Sequence, residues 1–174
     1  HRSSLIGCAP ASADVEGAAC ATRFFERFGR QLYRRPLDNA EVQGLTTATL
    51  AAARDLRSFH GGLSAVLASM LTSPDFLFRI DRTGKTNDQI DAWSKASRLS
   101  FLLWDTTPDS QLLDAAASGA LDTPDGLTQQ VERLLASPRF TEGMRAFFTD
   151  MLRLDDIESL SKDVVIFPSY TTSV

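Results

Sequence analysis

The chain writes the same corner twice. Residues 71–79 read LTSPDFLFR and residues 135–140 read LASPRF. In each, apolar residues at helical spacing run into Ser-Pro, and a phenylalanine stands two positions after the proline. Proline has no N–H for a continuing helix, while its fixed φ suits the first turn of a new one. Ser73-Pro74 and Ser137-Pro138 are therefore expected as corners between helices, with Phe76 and Phe140 dropping into the grooves beside them. Pro36 is expected as a third corner, because the residue before a proline resists helical dihedrals. The spacing is too long and the match too short for a solenoid of fixed repeat. Convergent use of one good corner is preferred over an internal duplication.

Between the corners, apolar residues recur every three or four positions. Phe24, Phe25, Phe28 and Leu32 share one helix face, and Arg23, Arg27, Arg30 and Arg34 another. Asp38, with Glu41 three residues later, reads as a capping box for a second helix. Ser58 opens a third helix, whose buried face is Leu63, Val66, Leu67, Met70 and Leu71. Phe76, Leu77, Phe78 and Ile80 then form a short apolar plug. RTGKTND, at 82–88, is the most linker-like stretch, polar and without a hydrophobe. Asn87 or Asp88 is expected to cap the fourth helix, with Ile90, Trp93, Ala96, Leu99, Leu102 and Leu103 on its stripe. A short fifth helix runs from Asp109 to Ser118, stopped by Gly119. Thr123 and Pro124 start a sixth. Thr141 starts the last, with Met144, Phe147, Phe148, Met151 and Leu152 turned inward. VVIF, at 164–167, is the one β-like tetrad.

The expected fold is all-α: about seven helices in two packed subdomains behind an irregular, disulfide-tied N-terminus. The expected division is an N-terminal module at 1–81, a linker at 82–88, and a C-terminal module at 89–174 that is incomplete at its end. No initiator methionine is present, and the chain reads as a mature or cut piece of a longer protein.

Cys8 and Cys20 flank a segment of small and turn-forming residues. They admit two readings, buried free thiols or a disulfide, and the disulfide is preferred. Closing such a loop stabilises a fold by up to ~3 kcal/mol in the chain-entropy model, and it implies an oxidising compartment, hence export. The formal net charge of −4 argues against a nucleic-acid partner, which needs a basic field. No apolar run reaches the ~18 residues of a spanning helix. Zinc is not expected, because two cysteines with only His1 and His60 match no finger or ribbon spacing.

Catalytic patterns are absent. His60 has no Gly-x-Ser-x-Gly elbow to serve. Asp105, Asp109, Asp155, Asp156 and Glu158 read as caps and solvated charges rather than a carboxylate pair. No phosphate loop or calcium loop occurs. The arginines stand out. Arg27, Arg30, Arg34 and Arg35 form a candidate anion-binding face, since guanidinium forks bind carboxylates bidentately. The competing and preferred reading is ion pairing to Glu26, Asp38, Glu41 and acidic residues of the second half. Arg79 and Arg98, flanked by apolar residues, are expected as buried arginines pairing across the halves. Trp93 and Trp104 read as core, with Trp104 at a helix end.

Three stretches together carry a resemblance. FFERFGRQLYRRPLDNAEV (24–42) resembles one family motif. LASMLTSPDFLFRID (67–81) and ASRLSFLLWDTTPDSQLLDAAASGAL (96–121) resemble a second, which LLASPRF and FFTDMLRLDDIESLSKD (147–163) continue. The chain thus resembles multidomain proteins of planctomycetes and myxobacteria built from consecutive domains of unknown function, DUF1595 and DUF1592. The resemblance implies an exported protein, often associated with a cytochrome c module, and a cysteine pair like that of the first domain. It carries over no catalytic residue. The leading expectation is a helical scaffold or interaction module whose partner is the remainder of a parent chain or another subunit. One rival is a part of an extracellular or periplasmic oxidoreductase. No cofactor is expected in this chain, so a haem would lie elsewhere in the parent assembly. The other rival is a carbohydrate-binding module using Trp104 or Tyr33.

Overall fold

The computed structural model describes residues 6–8, 10, 15–84, 90–159 and 165–166. Among them the stripes become eight α-helices: the seven expected, plus one turn where the apolar plug was read. They are α1 (Val15–Leu32), α2 (Asn39–Asp55), α3 (Phe59–Leu71), α4 (Pro74–Leu77), α5 (Ala92–Trp104), α6 (Ser110–Ala117), α7 (Pro124–Leu135) and α8 (Pro138–Leu152). Short 3-10 turns come after α6 (Ala120–Asp122) and α8 (Leu154–Ser159).

Local chemistry sets most of the boundaries. Asp38 and Glu41 form the reciprocal capping box at the head of α2, at 2.7 and 2.8 Å. Ser58, Asp109 and Thr123 cap α3, α6 and α7 with side-chain oxygens. Pro74, Pro124 and Pro138 each sit in the first helical turn. The fourth cap is a correction. Asp91 caps α5, accepting from the Ser94 amide at 2.7 Å, where Asn87 or Asp88 was expected; those two lie outside the described residues. Ile90 lies before the helix, where it pairs antiparallel with Thr83. That bridge brings the chain to α5 already extended, so the cap falls on the first carboxylate beyond it. The last helix likewise begins at Pro138 rather than Thr141, because the proline that ends α7 also opens α8. Val164 and Phe167 of the β-like tetrad lie outside the described residues; Val165 and Ile166 form an exposed turn.

Two hydrophobic clusters hold the helices. The first joins Cys20, Ala21, Phe24 and Phe25 of α1 to Phe59, Leu63, Val66 and Met70 of α3. The Cys8–Cys20 disulfide, with Cα atoms 5.9 Å apart, anchors the N-terminal segment to this cluster. The second joins Ala96 and Trp104 of α5, Leu112 and Ala116 of α6, Leu121, and Leu134 of α7. The Trp104 indole N–H donates to the Leu134 carbonyl at 2.9 Å, which satisfies its one polar atom inside the core. Gly143 lets α8 cross the end of α5: a Cβ there would lie 2.5 Å from the Leu103 carbonyl oxygen.

Candidate functional site

Charge gathers where α1 ends. After Leu32 the chain takes a left-handed residue at Arg34, φ 57°, and turns through Pro36 toward α2. Gly29 permits the turn, since Leu37 packs where its Cβ would be. The reversal points Arg34 and Arg35 at the segment just after α3.

Arg34 is 7% exposed and, among the described residues, donates only to main-chain carbonyls: Leu32 at 3.3 Å, Phe76 at 3.2 Å, Phe78 at 2.8 Å, and Asp75. Burial pulls its pKa below the usual guanidinium value; the Asp75 charge opposes this and Arg82 adds to it. Arg35 forks onto both Glu41 oxygens, at 2.8 and 2.7 Å, and reaches Asp75 Oδ1 at 3.3 Å. Its pKa is raised, first by the Glu41 hydrogen bonds. Arg82 donates to the same Asp75 oxygen at 2.8 Å. The Arg35 hydrogen bond, outweighing burial, holds the Glu41 carboxyl below its usual range. Burial would raise the Asp75 carboxyl, but bonds from Arg82 and Arg35, with their charges, hold it low.

The four arginines of the candidate anion face occupy three places. Arg34 and Arg35 share this cluster. Arg30 bonds Asp114 of α6 at 2.7 Å and lies over the Trp93 ring. Arg27 lies over the Phe28 ring. Two partners in the cluster, Asp75 and Arg82, were not singled out in the sequence. Asp75 reads there as an ordinary first-turn acid after proline, and Arg82 as linker. The burial expected for Arg79 and Arg98 is corrected, since both are exposed; Arg98 does pair across the expected division, with Asp81 at 2.7 Å.

Other surfaces are less polar. A groove of about 630 Å3 lies between α1 and α3, lined by Phe24, Phe28, Leu32, Leu67 and Leu71, with His60 at its edge. His60 is half-buried and edge-on to Phe59. A polar cleft of about 540 Å3 is bordered by Gln31, Thr107, Asp109, Arg139 and Glu142. Asp109 caps α6 and takes a fork from Arg133 at 2.8 and 3.0 Å. Trp104 is 5% exposed, with Arg133 and Arg139 over its ring, so it presents no open face for stacking a sugar. Arg35 lies over the Tyr33 ring. Among the described residues, no three His, Cys, Asp or Glu side chains converge to hold a metal ion.

Several residues expected to pack are exposed, among them Leu77, Phe78 and Ile80 of the plug, Leu102 of α5, and the outer face of α8. Phe147, Phe148, Met151 and Leu152, expected inward, are 51, 47, 54 and 58% exposed. The crossing at Gly143 uses the start of α8, and the helix then runs on past the second cluster. The stripe is real, but nothing in the described residues covers it.

Residues 20–81 match the model of the family described as PSD5, a protein of unknown function (DUF1595). Residues 90–174 match that of PSD4, a protein of unknown function (DUF1592). The two stand in the order the sequence motifs imply, with one correction: residues 67–81, read as part of the second motif, fall within the first match. No curated protein and no solved structure is similar enough to match.

Proposed function

We propose that the chain is a helical scaffold module of a larger exported protein, and that it docks the rest of its parent chain, or another subunit, on the outer face of α8. In this reading residues 1–81 and 89–174 are two modules joined at 82–88. The observation that carries it is the row Phe147, Phe148, Met151 and Leu152, four large apolar side chains about half exposed along one helix. A contiguous apolar patch of this kind marks an interaction surface. The commitment of the arginine cluster to its own carboxylates and carbonyls is consistent with a structural role. The Cys8–Cys20 disulfide supports an oxidising compartment. Among the described residues no helix is long and apolar enough to cross a membrane.

A photo-crosslinking phenylalanine analogue in place of Phe148, expressed in the native cell, tests the proposal. The expected result is a discrete crosslink to another subunit or to a distant part of the parent chain. Crosslinking no stronger than from exposed Thr47 on α2 would remove the docking role.

A further inference from the structure

The arginine cluster borders a half-open cavity of about 10 Å3, lined by Tyr33, Arg34, Arg35, Asp75, Arg82 and Trp93 among others. That is room for one small particle. Arg35 Nε is buried and has no acceptor among the described residues. Buried donors in native proteins nearly always find a partner, and an orphan points to a water or an ion beside it.

Charge decides between these. Three guanidiniums, of Arg34, Arg35 and Arg82, meet two carboxylates, of Glu41 and Asp75. Glu41 is taken up by the Arg35 fork, and one Asp75 oxygen is shared by Arg35 and Arg82. Arg34, the most buried of the three, bonds only neutral carbonyls among the described residues. The opposite charge that acts on it, Asp75, is shared with Arg35 and Arg82, in a poorly solvated place where electrostatic attraction is strong. Ser94 and Ser97 also border the cavity. We propose that this cavity binds a single monoatomic anion of the chloride class, which neutralises the excess charge and accepts from Arg35 Nε. The Asp75 carboxylate borders the same space and opposes the anion, so the three guanidiniums must outweigh it. Sulfate and phosphate are too large for it.

The test compares thermal unfolding of the whole chain in sodium chloride and in sodium gluconate at equal ionic strength. The expected result is a saturable rise in Tm of a few degrees with chloride alone. Arg82→Met, at a partly exposed side chain, should abolish the rise, and Arg98→Met, whose pair with Asp81 lies outside the cavity, should keep it. Bromide-soaked crystals should show an anomalous peak within hydrogen-bonding reach of Arg35 Nε, a readout that does not depend on the variants folding. Equal melting in the two salts with no bromide peak would overturn the proposal and assign the cavity to water. A chloride effect that survives Arg82→Met, with no bromide peak, would overturn it as well.

Discussion

Ser73-Pro74 and Ser137-Pro138 begin alike and end differently. Both prolines open a helix, and both nearby phenylalanines, Phe76 and Phe140, are half-buried. After Pro74 the helix lasts four residues, and Phe78 is already extended. After Pro138 it lasts fifteen. A helix end leaves carbonyls that need donors, and at the first corner Arg34 supplies them to Asp75, Phe76 and Phe78. At the second corner Arg139 lies over the Trp104 ring instead. The dipeptide makes the turn. Beyond the first corner the chain is held by hydrogen bonds from Arg34, an arginine at a distant helix end.

Removing that arginine should give the largest effect. Arg34→Met leaves the carbonyls after Pro74 without their donor inside the fold, and a loss of about 3 kcal/mol is expected. Urea unfolding measures it; a loss below about 1 kcal/mol would show that the first corner holds without Arg34. At the second corner the weak point is packing. Gly143→Ala drives a Cβ into the Leu103–Trp104 backbone, for an expected cost of about 2 kcal/mol. An unchanged urea midpoint would mean that α8 shifts freely on α5.

Acid should affect both corners in the same direction. Asp75 and Glu41 near the first, and Asp109 near the second, are held below their usual carboxyl values. For Asp109, burial works the other way, but bonds from Arg133 and the Leu112 amide prevail. A carboxyl depressed in the fold binds protons more readily when unfolded. Its stabilisation is therefore complete above the unfolded value, about pH 4, and is lost as pH falls through the folded value. Urea midpoints should drop on acidification below that point. Arg35→Met should flatten the drop by removing the first-corner share, and an unchanged slope would show that Arg35 does not set it.

The smallest effect separates the two serines. Ser137 Oγ accepts from the Arg139 amide at 3.3 Å, whereas Ser73 Oγ donates back to Met70 O at 2.8 Å and caps nothing. Ser137→Ala should cost about 1 kcal/mol. Ser73→Ala should cost less, about 0.5 kcal/mol. Thermal melts of the pair, read side by side, reverse the assignment if Ser73→Ala is the worse.

Much of this was legible in the sequence because it is local. The Asp38–Glu41 box, the Thr123-Pro124 start and the Asp109 cap each join residues within four positions, so their geometry comes from the helix itself. The Cys8–Cys20 pairing was readable from its short loop. The fate of each arginine was not. Arg30 reaches Asp114 and Arg34 reaches Phe78, across separations that no periodicity reports. The α8 stripe shows the complementary limit. Spacing tells that Phe147, Phe148, Met151 and Leu152 share a face, but not whether a neighbour covers it.

The sequence by itself determined an all-helical chain, its corners and most of its caps, because prolines, N-cap side chains and apolar spacing act within a turn or two. Only the tertiary structure decided where the charges meet and which apolar face stays open. Those outcomes depend on which distant backbone carbonyl, carboxylate or helix surface lies within a few ångströms once the chain has folded.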